Sequence, residues 1–169
     1  MESCRLKRWR PRSSLRVGQF FTCARPGRYR PSHGSFDPVP DDVVDEWVRG
    51  LPGDLNTVIV SLLGRKPDER SEFSFYSFHG AWDLPEERRD RPSFQDWLNR
   101  RHNERSIQVL EHPTCDYGHI PQKTLDAVSS DISRLLSEGR TVVLVDSGGD
   151  TRTCRQVCKY LQFIEDPNY

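Results

Sequence analysis

The stretch Thr141-Val142-Val143-Leu144-Val145-Asp146-Ser147-Gly148-Gly149-Asp150-Thr151-Arg152-Thr153 decides the fold. Thr141 to Val145 is a continuous β-branched and apolar run, the pattern of a strand buried on both faces. Asp146 to Asp150 is a tight polar turn, and from Thr151 onward Val157, Tyr160, Leu161 and Ile164 predict a terminal helix. A strand that turns through glycines into a helix collects unpaired N–H groups at the helix start, where anions bind. Gly148 and Gly149 let successive amides point inward as a nest, and Arg152 in the first turn adds a forked donor suited to phosphate oxygens. Short Gly-rich connections also join strand to helix with no ligand at all, so the loop by itself leaves both readings open.

Upstream, Thr57-Val58-Ile59-Val60-Ser61-Leu62-Leu63 has the same doubly buried character, and Ile107 to Leu110 reads as a further strand. Between that strand and Thr141, the positions Leu125, Val128, Ile132, Leu135 and Leu136 step by three and four, which predicts an amphipathic helix from Pro121 to Glu138 closed by Gly139. Asp41 and Asp42 precede Val43, Val44, Trp47, Val48 and Leu51, an earlier helix with acids in its first turn and Gly50 at its end. Val17 to Tyr29, with its Pro26-Gly27 turn, suggests an opening strand or hairpin. Strands alternating with helices predict an α/β fold: a central, mostly parallel sheet with helices on both faces.

The chain has 169 residues, 34% hydrophobic and 30% charged, so one domain is expected, with its core concentrated in those segments. Residues 1–16 read as a basic flexible arm, 17–169 as the domain, and about 64–104 as an insertion. That insertion carries an aromatic cluster (Phe73, Phe75, Tyr76, Phe78, Trp82) and a helix start near Ser93. Net charge is zero, yet residues 1–34 hold nine Lys or Arg against Glu2 alone. A nucleic-acid or anionic-surface contact through 1–34 is one reading, and a solvated basic run is the other. No apolar run approaches the ~18 residues of a membrane span, and the start lacks an apolar leader core, so a cytoplasmic protein is expected. Five cysteines with no Cys-x-x-Cys pair indicate neither a disulfide framework nor a metal site, and no cofactor is expected. Cys154 and Cys158, four apart on a helix, read as buried thiols.

The order of parts over residues 17–164 resembles the dual-specificity protein tyrosine phosphatases, whose motif is strand, His-Cys-x-x-Gly-x-x-Arg-Ser/Thr, helix. In this register Gly149, Arg152 and Thr153 match, while Val145 and Asp146 stand where the family has His and the nucleophilic Cys. Asp116-Tyr117-Gly118-His119-Ile120-Pro121, ahead of a long helix, is similar to the family's general-acid loop, with Asp116 as the acid. The resemblance implies a cysteine-phosphatase-like fold and a site of Asp116, Asp146 and Arg152 with the loop residues Ser147, Gly148, Gly149, Asp150, Thr151 and Thr153.

Without the cysteine, the expected protein is a catalytically impaired pseudophosphatase, a binding or regulatory module for a protein partner or phosphorylated ligand. Its Asp146 carboxylate would fill the nest itself and pair with Arg152. The alternative is an active phosphoester hydrolase with Asp146 as nucleophile or metal ligand and Asp116 as general acid.

Overall fold

A computed structural model describes residues 4–12, 17–28, 40–53, 56–63, 94–112, 114, 119–149 and 152–168. Six strands form one sheet: β1 (Leu6–Pro11), β2 (Gln19–Ala24), β3 (Thr57–Ser61), β4 (Gln108–Glu111), β5 (Thr141–Asp146) and β6 (Phe163–Glu165). Among the described residues four α-helices accompany them: α1 (Asp41–Arg49), α2 (Phe94–Arg101), α3 (Gln122–Ser137) and α4 (Arg152–Tyr160). The strand order is β4-β3-β5-β2-β1-β6.

The fold is α/β, but the sheet is mixed rather than mostly parallel. β4, β3, β5 and β2 pair in parallel, whereas β1 pairs antiparallel with both β2 and β6. Two corrections account for the difference. Leu6–Pro11, expected in a flexible arm, is instead a strand whose cations reach the chain's end. Lys7 pairs with Glu165 at 2.7 Å, and Arg10 Nε donates to the buried Asp166 at 2.6 Å. Ile164, expected in the terminal helix, lies in β6, because Gln162 takes a left-handed φ of 57° and ends the helical path.

The doubly buried pattern of β5 follows from its place inside the sheet. Val143 and Val145 join Phe21, Cys23 and Ile59 in one core with Val44, Trp47 and Val48 of α1 and Phe94, Trp97 and Leu98 of α2. Val142 and Leu144 turn the other way, toward Phe20, Val58 and Val60, with Val128, Ile132, Leu135 and Leu136 of α3 and Val157 of α4. Helices therefore cover both faces, and each fully buried aliphatic side chain contributes about 1.5–3 kcal/mol. The expected helix near Ser93 is α2, which completes the first core, while residues 64–93 and their aromatic cluster lie outside the described residues.

Helix α3 ends as its sequence predicts. Gly139 has φ 76°, its N–H donates to the Leu136 carbonyl, and the Arg140 N–H donates to the Leu135 carbonyl, which together form a Schellman motif. The end of α1 is held by a distant residue: the Arg105 guanidinium donates to the carbonyls of Val48, Leu51 and Pro52.

Candidate functional site

Strand β5 delivers Asp146 to the carboxyl ends of the parallel strands, the edge at which open α/β sheets bind ligands. The exit is fixed from both sides. The Leu62 N–H donates to the Val145 carbonyl at 2.8 Å, and the Arg25 N–H to the Asp146 carbonyl at 2.9 Å. The chain then folds back on itself so that Gly149 lies against the end of β2. A Cβ on Gly149 would meet the Ala24 amide nitrogen at 2.2 Å and the Cys23 carbonyl carbon at 2.7 Å, and its φ is 77°. Glycine is required here on both counts.

This fold-back turns three amides onto the Asp146 side chain. One carboxylate oxygen accepts from the N–H groups of Gly148 at 3.1 Å and Gly149 at 2.5 Å; the other accepts from the Cys154 N–H at 3.1 Å. Cys154 is in the first turn of α4, where N–H groups have no partner within the helix and the dipole favours negative charge. The side chain is buried, with Asp146 3% exposed. Each amide bond to a charged acceptor contributes about 1.5–3 kcal/mol, so three of them outweigh any single exposed contact.

Of the other loop residues, Thr153 is buried and Ser147 and Gly148 are half-buried. Asp150, Thr151 and the Arg152 side chain lie outside the described residues. Val145 is fully buried in the core under α1. Cys154 and Cys158 are buried thiols in the second core.

Asp116 also lies outside the described residues, but Thr114 and Ile120 on either side of it are described. On the upstream side the Thr114 hydroxyl donates to the Leu62 carbonyl at 2.7 Å, one residue past the exit of β3. Downstream the Ile120 N–H donates to Gln156 Oε1 of α4 at 3.2 Å. Thr114 is therefore tied beside the exit of β3, and Ile120 to the helix that follows Asp146.

Sequence reasoning missed two contributors. Arg25, directly after β2, is 7% exposed, and its Nη1 donates to the Pro26 carbonyl at 3.2 Å, which buries a guanidinium one residue from the Gly149 contact. The Cys154 amide was also missed, because only the three-dimensional start of α4 brings it eight residues back to Asp146. The arginine beside Pro26-Gly27 was the one available signal.

Among the described residues, no group of three or more His, Cys, Asp or Glu is placed to hold a metal ion, and no helix is long and apolar enough to cross a membrane. Compared with known proteins, the sequence matches no family model, and neither a curated protein nor a solved structure is significantly similar to it.

Proposed function

We propose that this chain is a phosphatase-like pseudoenzyme, a cytoplasmic binding or regulatory module whose anion cradle is occupied by its own carboxylate. The observation that carries the reading is the set of three amide hydrogen bonds on Asp146. An incoming phosphate would have to displace those bonds and sit beside a second anion. Losing roughly 4 kcal/mol of such bonds weakens binding by about a thousandfold. The same arrangement disfavours the hydrolase alternative, because a buried carboxylate with an amide on each oxygen is a weakened and shielded nucleophile toward phosphorus. Recognition in this reading falls to the Asp116 loop and the 64–104 insertion, which would take a protein partner or phosphorylated ligand.

The test is anion binding with and without the internal carboxylate. Wild-type protein should turn over neither p-nitrophenyl phosphate nor phosphotyrosine peptides, and phosphate or vanadate should leave its melting temperature unchanged. Asp146→Ala should gain a vanadate-dependent rise in Tm. Wild-type turnover abolished by Asp146→Ala would overturn the reading in favour of the hydrolase. A folded Asp146→Ala protein that ignores both anions would show that the loop is no phosphate cradle.

A further inference from the structure

Two cysteines far apart in sequence meet at the start of the sheet. Cys4, two residues ahead of β1, places its Sγ 2.8 Å from the Sγ of Cys23 in β2. That separation is within about an ångström of the ~2.05 Å of a covalent S–S bond. The approach is built into the pairing. Leu6 lies opposite Cys23 in the antiparallel register, and the Leu6 N–H donates to the Cys4 carbonyl, which curls the chain back over Cys23. Cys4 is also seated on the end of α1, where a Cβ on Gly50 would come within 2.7 Å of the Cys4 Cβ. The two sulfurs are thus presented to each other by a strand register on one side and a helix end on the other.

We infer that Cys4 and Cys23 are a modification site, a thiol pair that closes reversibly into an intrachain disulfide when the protein meets a peroxide or a small-molecule disulfide. The two thiols differ in access. Cys4 is half-buried at the edge of the fold, whereas Cys23 is 1% exposed. Cys23 is also held as the neutral thiol, since its hydrogen bond with Cys4, and then burial, push its pKa up. Cys4 is therefore the sulfur an oxidant reaches first. With hydrogen peroxide, the Cys4 thiolate attacks the O–O bond, gives a sulfenic acid and releases hydroxide, which is protonated to water. The Cys23 sulfur then attacks the sulfenic sulfur, the S–S bond forms, and the Cys23 proton leaves with the departing hydroxide as a second water. Two thiols lose two electrons and one peroxide gains them. Oxidised glutathione reaches the same product by two thiol exchanges, releasing two glutathione thiols.

The bond would fasten the entry of β1 to β2 in the residue immediately before Ala24, the seat of Gly149. It closes a loop whose ends are 19 residues apart, which should raise Tm by roughly 5–10 °C over the reduced protein.

The experiment treats the folded full chain with hydrogen peroxide or oxidised glutathione, blocks remaining thiols under denaturing conditions, and maps tryptic peptides by mass spectrometry. The expected product joins the Cys4 and Cys23 peptides with loss of two hydrogens, shows the higher Tm, and is reversed by dithiothreitol. Cys4→Ser should remove the linked peptide while circular dichroism shows the fold intact, and Cys158→Ser should leave the linkage in place. Oxidation of wild-type Cys4 to sulfinic acid with Cys23 still blocked as a free thiol would overturn the inference, as would linkage of either cysteine to Cys115, Cys154 or Cys158 instead.

Discussion

Gly149 rests directly on Ala24: a Cβ at position 149 would stand 2.2 Å from the Ala24 amide nitrogen. The atom in the way is backbone of an interior strand, so neither side can yield cheaply. Gly139 has nearly the same φ, 76° against 77°, but nothing lies within 4 Å of its hypothetical Cβ. The pair separates conformational cost from steric cost. Gly139→Ala should lose only the left-handed penalty, about 1 kcal/mol. Gly149→Ala adds a backbone collision and should lose about 3 kcal/mol or more. Urea unfolding of both variants measures the difference, and equal losses would mean that the loop does not pack on β2 as described.

How much of this was legible depends on where each residue sits in the sheet. β3 and β5 are flanked by strands and covered by helices, so every position before their last residues, Ser61 and Asp146, is apolar or β-branched and the run announces itself. Strand β1 is half-solvated, and its cations are matched by Glu165 and Asp166, more than 150 residues away, so Leu6 to Pro11 reads as a charged arm. Strand β6 has only three residues, too few for any period to show. In the candidate site, Asp146, Gly148 and Gly149 are contiguous and visible. The Arg25 and Cys154 amides join them only through tertiary contact. The Cys4–Cys23 approach depends on the β1 register and was equally hidden.

Arg105 supplies the C-terminal cap of α1 through three carbonyls, of Val48, Leu51 and Pro52. Three separate acceptors at the helix end suit the planar fork of a guanidinium, not the point charge of an ammonium. Arg105→Ala should cost about 2 kcal/mol, since hydrogen bonds from a charged donor are lost. Arg105→Lys should recover less than half of that. Thermal unfolding of the two variants decides between a geometric cap and simple helix-dipole attraction, which a lysine would restore fully.

Asp45 of α1 is the anchor for α2, and it carries a pH signature. Arg101 binds it in a fork, Nε to one oxygen at 3.1 Å and Nη2 to the other at 2.5 Å, and His102 Nε2 stands 2.9 Å away. The Arg101 hydrogen bonds, helped by that of His102, hold the Asp45 carboxyl below the usual carboxylate range although burial pushes the other way. A carboxyl with a depressed folded pKa stabilises fully above its unfolded value, about 3.9, and loses that contribution as pH falls through the lower folded value. Arg101 is half exposed, so the fork is partly screened and Asp45→Asn should cost about 2 kcal/mol at neutral pH. The gap between wild type and variant should stay constant from about pH 7 to about pH 5 and close below about pH 4. A gap that persists undiminished into that acid range would place the cost in packing rather than charge.

Deletion of residues 1–12 tests whether the basic segment belongs to the fold. A flexible arm can be removed with little loss, whereas β1 fills the space between β2 and β6. Without it β2 loses an antiparallel partner over Leu6 to Trp9, and β6 loses the only strand it pairs with among the described residues. Trp9 also goes, with its indole N–H bond to the Thr22 hydroxyl at 3.0 Å and its packing against the second core. Burial of that side chain alone is worth about 2–3 kcal/mol, and the exposed edge of β2 becomes a template for association. The truncated chain should therefore melt at least about 10 °C below the full chain and associate at concentrations where the full chain stays monodisperse. Single changes separate the causes: Trp9→Ala should reproduce a substantial part of the loss, and Arg10→Ala should release the C-terminal residues around Asp166, detectable as faster amide exchange at Asn168. A truncated protein with unchanged melting temperature and unchanged exchange in Phe163 to Glu165 would return residues 1–12 to the status of an arm and leave the charge run free for an anionic partner.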